Sequence, residues 1–161
     1  MHRSRSLGVA ATFALLIMGA VAAPAAAGDQ QGLHVTLPAW EFTSGTCLAF
    51  DGDGNCLLAS VQADGIAESS IGGTGSYHGD LTVQFLPGTD CNIVDERDTL
   101  GFAAGQLFVS SHHEDCRLHG NRIFAPFTIT GGTGAFADAT GGGLEFGNQG
   151  APITYNGQIE P

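Results

Sequence analysis

Hydrophobic and polar side chains alternate one by one along several short stretches of the chain. Leu81, Val83 and Phe85 fall on one face of an extended segment with Asp80, Thr82 and Gln84 on the other, and the pattern stops at Pro87-Gly88. Ile123, Ala125, Phe127 and Ile129 alternate with Phe124, Pro126, Thr128 and Thr130. The apolar start of both faces predicts a strand covered on two sides, and Pro126 predicts a bulge or an open edge beside it. Further strands are predicted at about 36–42, 57–68, 106–111, 143–147 and 152–160, the last with Ile153, Tyr155, Gly157 and Ile159 on one face. Beyond the N-terminal segment no run of ten or more residues repeats apolar positions at i, i+3, i+4 and i+7, which disfavours a helical bundle. Seven or eight short strands separated by turns predict an all-β fold, a sandwich or a closed barrel.

The 25 glycines of the 161 residues are spread between the apolar runs with no G-X-Y period, so the chain turns often. The first 27 residues read as a secretory signal: His2, Arg3 and Arg5, an apolar run from Leu7 to Ala23, and Ala25-Ala26-Ala27 as the cleavage site before Gly28. That run has about 17 residues against the ~20 of a spanning helix. Cleavage leaves 134 residues, 28–161, enough for one domain. The lysine-free, Ala/Gly/Asp-rich composition suggests a bacterial source.

Removing Arg3 and Arg5 leaves three arginines against 16 acidic side chains, a charge of −13. Such a surface repels phosphate backbones and anionic lipids, so neither nucleic acid nor an anionic membrane is expected as a partner. Without lysine there can be no P-loop, no pyridoxal Schiff base and no Ser-Lys nucleophile, and no cofactor is expected. The G-x-S-x-G elbow of many hydrolases is also missing, and nothing in the sequence positions a Ser/His/Asp triad.

Cys47, Cys56, Cys91 and Cys116 make an even set in an exported chain and so predict two disulfides. Three pairings are formally open. Cys47–Cys56 and Cys91–Cys116 are preferred because each pair brackets turn-forming or charged residues that a hairpin could close, each bridge contributing roughly 2–4 kcal/mol. The competing reading of Cys91 and Cys116 with His112, His113 or His119 is a zinc site, although no C-x-x-C knuckle is present. The run Ser111-His112-His113-Glu114-Asp115 is expected to be a solvated polar loop.

Asp51, Asp53 and Asn55 have the i, i+2, i+4 spacing that opens a calcium loop, but Cys56 stands where the loop needs glycine and Gln62 where it needs glutamate. An ordinary hairpin turn is the expectation.

Residues 128–141 read TITGGTGAFADATG, with a weaker echo, GGTGSY, at 72–77. Through Gly131, Gly132, Thr133, Gly134, Phe136, Ala139 and Gly141 this stretch resembles the signature of the allene oxide cyclase and dirigent barrel superfamily, in particular its small secreted bacterial relatives. The resemblance covers roughly residues 57–160. It implies an eight-stranded antiparallel β-barrel with a central cavity, often assembled as trimers, and it transfers fold and not chemistry. Three functions follow as expectations. The first is a secreted barrel binding a small apolar molecule; the second is a cofactor-independent cyclase or isomerase; the third is a structural protein whose barrel its own side chains fill. For the second, Glu68 and Tyr155 are the catalytic candidates, a carboxylate and a phenol on predicted strands.

Overall fold

The computed structural model describes residues 29–116, 122–148, 150 and 152–161. The expected secretory segment 1–27 and His119 lie outside the described residues. Eight strands follow in chain order: β1 (Gln31–Phe50), β2 (Cys56–Ser69), β3 (Gly73–Phe85), β4 (Cys91–Phe102), β5 (Gly105–Cys116), β6 (Arg122–Gly132), β7 (Thr140–Asn148) and β8 (Ile153–Glu160). Each pairs antiparallel with the next and β8 pairs with β1, so the sheet closes into a barrel. Closure removes the sheet edges that a sandwich would leave. The predicted alternation holds in β6, where Ala125, Phe127 and Ile129 are buried between outward Phe124, Pro126 and Thr128. Pro126 sits where the β5–β6 register has just ended, at Ser111–Phe127, so its missing N–H interrupts no bond of that ladder.

Successive turns alternate between the two ends of an antiparallel barrel. One end is clasped by the glycine motif. There Gly134–Phe136 forms a 3₁₀ turn between β6 and β7, and buried Phe136 meets Phe102 edge-on with ring centroids 6.2 Å apart. The motif hydrogen-bonds back to the β4–β5 turn: Thr133 N–H donates to the Gln106 carbonyl (2.8 Å), Ala135 N–H to that of Ala104 (2.9 Å), and Gln106 N–H to Thr133 Oγ1 (3.0 Å). The two backbones approach so closely that a Cβ on Gly105 (φ +144°) would collide with the Thr133 carbonyl. Gly105→Ala therefore combines a left-handed backbone with a clash, and we expect a loss of about 2 kcal/mol or more in urea unfolding.

The opposite end carries both disulfides, Cys47–Cys56 and Cys91–Cys116. The Cys91–Cys116 bond leaves no thiolate for zinc. Between Cys47 and Cys56 the Asp51 carboxylate accepts hydrogen bonds from Asp53 N–H (2.9 Å), Asn55 N–H (2.8 Å) and Asn55 Nδ2 (2.9 Å), which makes this segment a self-satisfied hairpin turn. The expectation of a polar loop at 111–115 is corrected, because these residues continue β5. Their side chains alternate accordingly, with His112 outward against Asp95 and His113 inward.

At this end the barrel is less tightly laced. β1 pairs with β8 only over Gln31–Leu37; beyond a register shift between Thr36 and Ala39 it pairs with β2 alone. The shift changes the phase of the strand, so that Leu33, Val35 and Leu37 point inward before it, and after it half-buried Trp40 and exposed Phe42 line the rim of a small cavity at this end.

Candidate functional site

The interior positions of β4 run Val94, Glu96, Asp98, Leu100 and Phe102, all buried. Two carboxyls therefore occupy places that a barrel normally fills with aliphatic side chains. Glu145 on β7 is a third, and its cross-strand partner is Tyr155 on β8. Asp98 is 2% exposed and Glu145 1%. Tyr155 Oη donates to Asp98 Oδ2 (2.7 Å), Tyr77 Oη donates to Glu96 Oε1 (3.2 Å), and the Phe127 and Tyr155 rings meet edge-on at 5.4 Å. Gly79 opposes Asp98 on β3, and a Cβ there would run into Tyr77 Oη and lie 2.9 Å from Asp98 Oδ1. The missing side chain makes room for the phenol and the acid.

Among the described residues no cation balances this cluster, because Arg97 and Arg122 are both exposed. Asp98 Oδ1 and Glu145 Oε2 have no donor. The contact between the Glu96 and Asp98 carboxyls becomes a hydrogen bond only if one of them keeps its proton. Burial pushes Asp98 well above the usual carboxylate range, helped by the nearby charges of Glu96 and Glu145. Burial likewise lifts Glu145, with Glu96 adding to it, and lifts Glu96, which the bonds from Asp98 and Tyr77 partly hold down. Both phenols are raised by the same burial and the same acids, so they stay neutral and each donates its proton to a carboxyl oxygen. The result is a buried cluster of carboxyls that hold their protons to higher pH than exposed carboxylates do.

Above the acids, β5 turns Ser111, His113 and Asp115 inward at successive positions, with Ser111 Oγ 3.1 Å from His113 Nδ1. Burial lowers the His113 pKa, opposed by the Asp115 charge, so its imidazole is neutral at pH 7 and able to accept a proton. His113, Glu96 and Tyr77 share one cavity with Leu81, Val94, Ile123 and Ile153. Its lip is the Trp40–Phe42 pair, rings edge-on at 5.1 Å, with Phe42 56% exposed. The cavity measures about 40 Å³, room for a few waters and well short of a ligand pocket. A larger hollow of about 800 Å³ lies against the outer face of β3–β6, where outward polar side chains such as Asp80, Asp95 and His112 line it.

Of the two candidates drawn from the sequence, the structure places Tyr155 in the acid cluster and Glu68 outside it. Glu68 faces outward because Ala59, Ala63 and Ala67 set the inward phase of β2, which turns residue 68 to solvent. Sequence reasoning passed over Glu96, Asp98, Glu145 and His113. A carboxylate at every second position of 96–98, in phase with Val94 and Leu100, was the available signal.

No family model matches the sequence, and no curated protein matches it. Among solved structures the chain is similar to one named pyocyanin demethylase, with a TM-score of 0.50 at 16% identity over 80% of this chain and 98% of that one. The likeness is one of fold, a barrel of the same general type, and the class defined so far is a disulfide-bonded, closed eight-stranded β-barrel.

Proposed function

We propose that the barrel binds a small, largely apolar molecule at its disulfide-bearing mouth and moves protons on it without a resident cofactor, an isomerisation or cyclisation by acid–base catalysis. The observation that carries this reading is the pair Asp98 and Glu145, nearly fully buried, each with an oxygen that no donor reaches. A purely structural barrel gains nothing from such groups, since burying an unsatisfied polar atom costs roughly 1–3 kcal/mol. The filled-barrel alternative accounts for the small cavity but not for the acids that fill it.

In this reading neutral His113 takes a proton from the bound molecule, while a protonated carboxyl of the Glu96–Asp98 pair returns one at another atom, leaving the proton count unchanged. Trp40 and Phe42 must swing aside to admit the molecule, and they lie on the part of β1 that has lost its β8 neighbour. The solved barrel named for pyocyanin demethylation supports the use of such an architecture on a small organic molecule. Membership of the allene oxide cyclase and dirigent superfamily fits the eight strands and the clasp formed by the glycine motif. Export fits the two disulfides, which suggest an oxidising surrounding. Among the described residues no helix is long and apolar enough to cross a membrane.

Native mass spectrometry of protein purified from its culture medium, with thermal shifts against a panel of lipids, terpenoids and planar aromatics, tests the reading. A bound mass or a raised melting temperature is expected for the wild type and for Glu68→Gln, and is expected to be lost in Trp40→Ala. No bound mass and no shift across the panel would contradict it.

A further inference from the structure

The distal half of β1 departs from the pattern of the other strands. From Glu41 to Thr46 every side chain is exposed, on both faces of the sheet. From Glu41 to Phe50 the strand has β2 on one side and, among the described residues, no strand on the other, because β8 begins at Ile153, the partner of Leu37. A row of backbone N–H and C=O groups is therefore left without a neighbouring strand. Bulges at Thr43 and Leu48 divide this edge, and Ser44–Cys47 is its longest run in unbroken register. That run carries no charge and no proline, the usual guards of an open edge. Phe42 (56% exposed), Leu48 (57%) and Phe50 (62%) stand along the edge, with exposed Ile66 on β2 near its start. The other break in the wall, among the described residues, is shorter. β5 beyond Ser111 and β6 before Phe127 are unpaired with each other over five residues apiece, and Pro126 and Arg122 guard the second. Phe124, Leu144 and Phe146 are exposed there as well, but β7 is paired on both sides up to Phe146, so that patch offers side chains and little free backbone.

We infer that an extended peptide segment alternating apolar and basic residues docks here, adding a strand to β1 along Glu41–Phe50. Strand addition draws on both properties of this edge, unshared backbone groups for affinity and two faces of different character for selection. On the mouth side the side chains of the added strand lie beside Phe42, whose ring meets that of Trp40. On the outer side they lie beside Glu41, which is opposed by Asp64 on β2. Behind Glu41 a hydrogen-bonded ladder fixes further acids: Thr43 Oγ1 donates to Asp64 Oδ2 (2.9 Å), and Gln62 Nε2 donates to Asp80 Oδ1 (3.0 Å). β1, β2 and β3 hold no lysine or arginine, so a basic occupant supplies the charge this wall lacks. A second copy does not supply it, since the chain has a net charge of −11.

Trp40, the sole tryptophan of the chain, reports occupancy by its fluorescence. The probe is a ten-residue peptide alternating valine and lysine, added to the disulfide-intact protein at low salt. It is expected to change Trp40 emission saturably, with an affinity that falls as salt is raised. Methylating the peptide's amide nitrogens at every valine, or at every lysine, removes the donors of one edge or of the other. One of the two methylated peptides is expected to bind at least about tenfold more weakly and the other as the parent does. Glu41→Gln is expected to weaken binding about threefold, whereas Asp95→Asn, the same change of charge on β4, leaves it unaltered. No saturable change, equal affinities of the two methylated peptides, or equal affinity for a valine–glutamate peptide would each overturn the inference. So would a protein that sediments as a dimer and releases single chains as the peptide binds, which would assign the edge to a second copy.

Discussion

Asp98→Asn and Glu145→Gln, alone and combined, are expected to melt above the wild type at pH 7 and together with it near pH 4. In the unfolded chain these carboxyls ionise near ~4. In the barrel burial holds their protons to higher pH. From about pH 4 upward, then, the folded state binds more protons than the unfolded one, and stability falls with rising pH until the folded values are reached. An amide does not ionise, so the substitution removes that loss. The amide introduced by Asp98→Asn keeps a carbonyl oxygen that can accept the hydrogen bond from Tyr155 Oη. A gain of only about 1 kcal/mol raises the melting temperature of a domain this size by ~4 °C. The carboxylates of Asp51 and Asp64 are lowered by hydrogen bonds, chiefly from Asn55 and His78 respectively, and tilt stability the other way, but they are solvent-exposed and unchanged by the substitutions. The difference between variant and wild type therefore isolates the buried acids. The same variants are expected to lose whatever turnover the barrel has, a stability gained at the expense of the site. Melting curves from pH 4 to 8 decide the matter, and variants that melt below the wild type at pH 7 would show these acids to be stabilising.

Removing the Cys91–Cys116 bond is expected to have the largest destabilising effect of any exchange at the mouth. The bridge spans 25 residues and joins directly opposed positions of β4 and β5. On chain-entropy grounds its loss in a Cys91→Ala/Cys116→Ala double variant corresponds to about 3.5 kcal/mol, against about 2.6 kcal/mol for the nine-residue span of Cys47–Cys56. Urea unfolding of the two double variants should place the Cys91–Cys116 loss first. Cys116 also follows Asp115, a wall of the small cavity, so this variant is expected to change ligand shifts as well. Equal midpoints for wild type and variant would mean that the β4–β5 ladder alone holds the mouth.

Most of the strands were readable from the chain because most inward positions are ordinary, while their closure into a barrel was what the resemblance implied. Leu81 and Val83, Ala125 to Ile129, and Ile153 to Ile159 follow the two-residue period, and turn glycines separate them. The preferred cysteine pairing followed from the same hairpin logic. β4 was not readable. Its stretch Asp95-Glu96-Arg97-Asp98 looks like a charged turn, because two of its core positions hold carboxyls. β7 was read as a strand, yet its Leu144 and Phe146 suggest an inward face that in fact points outward, with Glu145 inside. At both places the polarity code fails where carboxyls of the proposed chemistry occupy interior positions. Glu68 was chosen because it lies on a strand. A carboxylate's side of the sheet depends on phase, and the alanines of β2 fix that phase against it. Ser111 to Asp115 read as a loop because of their polarity, although His113 occupies an interior position of β5.

Infrared difference spectroscopy of the carboxyl region at pH 7, with Asp98→Asn and Glu145→Gln for assignment, examines the stored acids themselves. The expected result is a protonated carboxyl C=O band in the wild type, reduced by each substitution and shifted when a ligand enters the mouth. A spectrum with ionised carboxylate bands alone, identical in wild type and variants, would contradict a barrel that keeps neutral acids for proton transfer.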